Sequence, residues 1–185
     1  MNNQFKELFA PTVVLVCICL IASLLLAATY QITAPLIEKI TIENANTARG
    51  EVLPEASGFV EMEEVELLDG VTEVFESVNG VGYVITSEFK GFGGPVVVMT
   101  GLDANGNIVS VKVTDASAET PGLGSKATLP DYLDQYKGAA MISSDASSAE
   151  AAYVSAVTGA TYTSRAVFSS VSAALMQFAT LGGGF

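Results

Sequence analysis

Three threonines, Thr158, Thr161 and Thr163, stand in the segment Ser155-Ala-Val-Thr-Gly-Ala-Thr-Tyr-Thr-Ser164, which runs straight into an apolar helical pattern. A hydroxyl at that place can cap the helix by accepting hydrogen bonds from its first amides. Those amides, with the positive end of the helix dipole, also suit a phosphate, which a threonine could hold by a hydrogen bond or by a covalent ester. Residue type alone leaves both uses open. Two glycine-rich segments accompany it. Gly91-Phe-Gly-Gly-Pro95 falls between two apolar runs, where glycine permits a tight turn or a close approach of backbone N–H groups to a ligand. Glu119-Thr-Pro-Gly-Leu-Gly-Ser-Lys126 brackets Leu123 with Gly122 and Gly124. It reads either as a plain turn or as a compact loop whose amides face an anion, with Lys126 nearby to balance charge.

Few other side chains could do chemistry. The chain has no histidine, which removes Ser-His-Asp and Cys-His nucleophile systems, His-ligated metals and the commonest general base near neutral pH. Its two cysteines, Cys17 and Cys19, lie in an apolar run and read as small apolar filler, so neither a Cys-ligated metal nor a catalytic side chain is expected. Formal net charge is −12, from 20 acidic against 8 basic residues. An anionic surface repels a polyanion, which argues against nucleic acid as a partner. Such a chain points to a borrowed cofactor.

No charged residue separates Glu7 from Glu38, and Val13 to Ala28 reads VVLVCICLIASLLLAA. Extended to residues 10–30, the run is long enough to cross a hydrocarbon core of ~30 Å at ~1.5 Å per residue. A cleaved signal peptide would have a shorter apolar region ending at a small-residue site, and Leu26-Ala27-Ala28 is a poor one. Val16 and Ile18 before the cysteines fit a lipoprotein signal badly. The reading is an uncleaved transmembrane helix behind a short tail, residues 1–9. Lys6 on one side, with Lys39 and Arg49 on the other, leaves the orientation open.

Residues 31–50 carry Leu36, Ile37, Ile40 and Ile42 among Glu38, Lys39 and Glu43, a helix leaving the membrane that Gly50 and Pro54 would stop. From Glu51 to Glu76 there are nine acidic residues and no basic one. Interleaved with Val65, Leu67, Val71, Val74 and Phe75, they read as the solvated face of strands rather than as a cation funnel. Strands are predicted over Gly82–Phe89, Pro95–Leu102 and Asn107–Thr114, the last two joined by a hairpin turn at Asp103–Gly106. Pro130–Tyr136 reads as a short helix and Gly138–Ala152 as a loop. Thr163–Phe178 reads as an amphipathic helix, with Ala166, Val167, Val171, Ala174, Leu175 and Phe178 at spacings of three and four. The fold class is therefore α+β: one N-terminal transmembrane helix, then an antiparallel-sheet domain over residues 51–185 with a C-terminal helix.

Thr158-Gly-Ala-Thr161, followed by Tyr162, Thr163 and Ser164, resembles the S/T-G-A-T flavinylation motif of the FMN-binding domain family, in which a threonine forms a phosphoester with FMN. The matching position is Thr161. GFGGPVVVMTGLDANGNI, residues 91–108, resembles that family's G-Y/F-G-G strand and hairpin, and ETPGLG, residues 119–124, its E-T-P-G-L-G loop. The three motifs, in order behind one anchor, cover most of the chain. Modified members include the G component of the Rnf ion-translocating electron-transport complex and the C component of the sodium-pumping NADH:quinone oxidoreductase. The short chain and the ETPGLG loop look more like the first. The chain departs from the family pattern at Ser155, where Asp is usual.

The resemblance implies a membrane-anchored flavoprotein component of a Rnf-type ferredoxin:NAD oxidoreductase, carrying electrons but not catalytic alone. It implies FMN joined covalently to Thr161 by a separate flavin transferase. Further cofactor contacts would come from Thr158, Gly159, Ala160 and Thr163, from Gly93 and Gly94, and from Thr120, Pro121, Gly122, Leu123, Gly124 and Lys126, with Phe92 or Leu123 as apolar contacts. It also implies an extracytoplasmic FMN-binding domain on the cell membrane, beside other membrane and soluble subunits. The non-redox alternative is an anchored acidic module in which Glu61–Glu76 converge on cations or an envelope partner and Thr158–Thr161 only caps a helix.

Overall fold

The structure, a computed structural model, describes the backbone of residues 2–182 and the side chains of residues 11–37 and 39–182. The Lys6 side chain, one half of the flanking-charge comparison, and residues 183–185 lie outside the described residues. The chain divides into two compact units, Met1–Ala45 and Asn46–Phe185.

The first unit is helical. Helix α1 (Asn2–Val52) begins at Asn2, so the expected tail over residues 2–9 is part of the helix. Nothing between Asn2 and Ala10 breaks one, since that stretch holds neither glycine nor proline. Nor does the helix break between residues 30 and 31. Pro11 and Pro35 lie inside it, each removing one ladder bond and crowding the carbonyl four residues back without ending the helix. From Pro11 onward the helix is long and apolar enough to cross a membrane, and its large apolar side chains from Val13 to Ile37 are exposed. The Thr29 and Thr33 hydroxyls donate back to the carbonyls of Leu25 (2.8 Å) and Thr29 (3.0 Å), which satisfies them without water.

The second unit is built on a five-stranded antiparallel meander: β1 (Phe59–Glu61), β2 (Val71–Ser77), β3 (Gly82–Lys90), β4 (Pro95–Asp103) and β5 (Ile108–Asp115). The register aligns Val74, Ile85, Thr100 and Val111 in one row and Phe75, Val84, Gly101 and Ser110 in the next, which face opposite ways. Helix α3 (Thr161–Thr180) packs on the first face through Val167, Val171, Ala174 and Phe178, in one core with Ile85, Val96, Val98 and Leu102. The end of α1 covers the second face. Its Val52 carbonyl lies so close to Gly101 that a Cβ there would meet it at 2.2 Å, and Arg49 stacks 3.5 Å above the Phe75 ring. Arg49 is buried and reaches Glu73 at 3.2 Å, so it serves the domain core rather than flanking a membrane. The helix runs through Gly50 to Val52, with Pro54 beyond the last turn.

Between β5 and α3 come α2 (Pro130–Leu133), extended by a 3₁₀ turn to Tyr136, and a parallel pair of two-residue strands, β6 (Ile142–Ser143) and β7 (Ala152–Tyr153). The strand patterning expected across Val65 and Leu67 is absent. Residues 62–70 are irregular because a buried side chain takes their backbone groups: Gln177 of α3 accepts from the Leu68 N–H (2.8 Å) and donates to the Glu66 carbonyl (3.1 Å).

Candidate functional site

Helix α3 starts at Thr161, one residue after Ala160, and no side chain caps it. Two nearby hydroxyls point inward. Ser164 Oγ accepts from the Val157 N–H at 3.0 Å, and Thr163 Oγ1 donates to Glu119 Oε2. Thr161 is exposed at the first helical position. Its hydroxyl and the first amides of α3 therefore share one open helix end, where partial positive charge favours an anion. Gly159 brings this end into place: at φ +84° it turns the chain in a conformation other residues resist, and a Cβ would come within 3.0 Å of Leu123.

Glu119 joins the site's three segments. It is only 4% exposed, and its Oε1 accepts from the Gly93 N–H at 2.9 Å while Oε2 takes the Thr163 hydroxyl. Burial raises its pKa, but hydrogen bonds from Thr163 and from the amides of Gly93, Phe92 and Gly94 lower it more, so the group stays below the ordinary glutamate value. Space for the carboxylate comes from missing side chains. A Cβ at Gly91 would lie 2.4 Å from Oε1, and one at Gly124 would lie 2.6 Å from Oε2.

Beside this carboxylate opens a cavity of about 300 Å³ lined by Phe92, Glu119, Thr120, Leu123, Gly124 and residues 159–163. That volume is at the small end of ligand pockets. Phe92 and Tyr162 form its aromatic wall, with ring centroids 6.0 Å apart and both side chains exposed. A second hollow of about 180 Å³ borders Thr161 and includes Ser155, Ser164, Arg165 and Phe168.

Of the expected contacts, Gly159, Ala160, Thr161, Thr163, Thr120, Leu123 and Gly124 line the larger cavity, whereas Thr158, Gly93, Gly94, Pro121, Gly122 and Lys126 do not. The physical reason is visible in the amides. Gly93 donates to Glu119, and the 120–126 loop uses its own: Gly122 N–H reaches Ser125 Oγ at 2.9 Å and Leu123 N–H reaches the Thr120 carbonyl at 3.2 Å. An anion cradle made of those loop amides is therefore not formed, and Lys126 is exposed outside it. Ser155 spends its N–H on Gln135 Oε1 at 2.9 Å and does not cap α3. Glu61, Glu63, Glu64 and Glu66 are exposed, and among the described residues no group of His, Cys, Asp or Glu is arranged to hold a metal. Sequence reasoning assigned no role to Glu119 or Tyr162. The one available signal for Glu119 was an acid opening a glycine-rich loop in a chain whose other glycine-rich turn lacks any charge.

Residues 91–176 match the family described as FMN-binding domain, a stretch that contains every residue lining the larger cavity. The chain is 32% identical over 198 residues to the G subunit of the Na(+)-translocating ferredoxin:NAD(+) oxidoreductase complex of Acetobacterium woodii, covering 96% of this chain and 95% of that one. It is 28% identical over 190 residues to the G subunit of the proton-translocating ferredoxin:NAD(+) oxidoreductase complex of Clostridium ljungdahlii, covering 99% and 98%. Among solved structures it is similar to Shewanella oneidensis NqrC, at 24% identity over 60% of this chain and 61% of that chain, with a TM-score of 0.48. The cavity suits the cofactor that the family description names: an aromatic and apolar wall for a planar ring, and an uncapped helix start with a free hydroxyl for a phosphate. With its FMN-binding domain and a full-length match above 30% identity, the chain belongs to the G-subunit family of ion-translocating ferredoxin:NAD(+) oxidoreductase complexes.

Proposed function

We propose that this chain is the FMN-carrying electron-transfer subunit of a Rnf-type complex, with the flavin esterified through its phosphate to Thr161. The observation that carries this reading is the position of Thr161: an exposed hydroxyl at the rim of the cavity, on the uncapped first turn of α3. Bound there, FMN supplies the one- and two-electron redox chemistry that the chain's own side chains lack. The protein holds the phosphate with the α3 amides and shields the ring with Phe92, Tyr162 and Leu123. Attachment needs a partner enzyme. In the transfer from FAD, the Thr161 Oγ–P bond forms, the P–O bond to adenylate breaks, and AMP leaves. The hydroxyl proton goes to a base of the flavin transferase, because this chain has no histidine to take it.

In this reading residues 10–30 of α1 anchor the protein in the cell membrane, residues 31–50 lead away from it, and residues 51–185 form the flavin domain on the extracytoplasmic side. Other membrane and soluble subunits of the complex supply and remove electrons. The test is in-gel fluorescence of denatured protein made with the transferase present. Wild type should fluoresce under ultraviolet light, and peptide mass spectrometry should place the adduct on Thr161. Thr161→Val should be dark while Thr158→Val and Thr163→Val keep the adduct, with the fold intact in each. A fluorescent Thr161→Val band would move the attachment to another residue.

A further inference from the structure

We propose that Glu119 is the positioning residue of the flavin cavity, holding its two aromatic wall residues at their working separation before any cofactor arrives. The proposal deepens the flavin reading above and rests on it. The groups that bind Glu119 lie on or beside that wall: the amides of Phe92, Gly93 and Gly94 on one side, and Thr163, which follows Tyr162, on the other. One carboxylate thus ties the β3–β4 turn to the first turn of α3. The wall residues themselves meet at the Phe92–Tyr162 ring pair. Glu119 sits at a loop start, makes no ion pair among the described residues, and leaves its charge to be balanced by amide and hydroxyl donors alone. Placing an unpaired carboxylate at 4% exposure is costly unless its lone pairs are used, and the two glycines packed against it, Gly91 and Gly124, leave the space that a Cβ at either position would take.

Such a device predicts a cavity that binds the ring without the ester. The test uses full-length apo protein in detergent micelles, made without the transferase, and riboflavin as the probe, because riboflavin has no phosphate to esterify. Binding is read by quenching of flavin fluorescence, and thermal unfolding runs in parallel. Wild type should bind measurably. Glu119→Ala should bind about tenfold more weakly or worse, the scale of a lost charge-assisted hydrogen bond. Glu119→Gln keeps an acceptor and the volume and should recover part of that loss. Thr163→Val should weaken binding less than Glu119→Ala. The Glu119→Ala/Thr163→Val pair should be no worse than Glu119→Ala alone, since the second change removes a donor whose acceptor has already gone. If Glu119→Ala does not fold, Glu119→Gln, Thr163→Val and their pair carry the same comparison. Riboflavin affinity within twofold of wild type in folded Glu119→Ala (or, should that variant not fold, in both Glu119→Gln and Thr163→Val), additive losses in the double variant, or no quenching by wild type would each overturn the proposal. A dark wild-type band on the denaturing gel would instead overturn the covalent reading, whatever the riboflavin series shows.

Discussion

Glu119 and Thr163 are joined by a hydrogen bond between residues 44 apart in the chain, and the carboxylate end of that bond titrates. Its folded pKa lies below the ordinary glutamate value, so ionised Glu119 stabilises the folded state. That contribution is present above the unfolded-state pKa, shrinks as pH falls below it, and is lost once pH has passed through the lower folded value. The difference in melting temperature between wild type and Glu119→Gln should therefore stay level from neutral pH down to about 5 and narrow only in more acid solution. Calorimetry at a series of pH values checks this. A difference that instead widened as pH fell from 7 to about 5 would mean that burial had won and had raised the folded pKa above the unfolded one.

At the scale of elements, α3 does two jobs at its two ends. Its start presents Thr161 to the cavity, while near its end fully buried Gln177 holds the irregular 62–70 connection through Leu68 and Glu66. Gln177→Leu keeps the volume but leaves the Leu68 N–H and the Glu66 carbonyl without their side-chain partner. The expected cost is about 1–3 kcal/mol, read as a lower melting temperature, with flavin content of the folded protein unchanged because the site is at the opposite end of the helix. Loss of flavin from a variant that still folds would show that the two ends of α3 are coupled.

For the whole molecule, the two units have different solvents to satisfy. The large apolar side chains described for the first, from Val13 to Ile42, are exposed, whereas the second buries its own around a sheet with helical cover on both faces. Only the second carries the cavity. The proposed arrangement puts the flavin domain outside the cytoplasm. Protease added to intact cells or spheroplasts should then remove residues beyond the anchor while cytoplasmic controls survive. Complete protection, with cleavage only in inverted vesicles, would reverse the assignment.

What the sequence determined by itself was whatever is periodic or local. The β-branched runs of β3, β4 and β5, the turn at Asp103–Gly106 and the three-and-four spacing of α3 were legible because each records one neighbour relation repeated along the chain. The proposed attachment threonine was legible through a motif resemblance. The rest belonged to tertiary structure. Whether the amides of Gly93, Gly122 and Leu123 face a ligand or a protein oxygen depends on where Glu119, Ser125 and Thr120 end up, and only the folded chain decides that. Likewise, Thr161 and Thr163 are near-identical neighbours in sequence. They become different groups, one open to the cavity rim and one closed on a carboxylate, because a helix turns by about 100° per residue and the sheet turn carrying Gly93 stands on only one side of it.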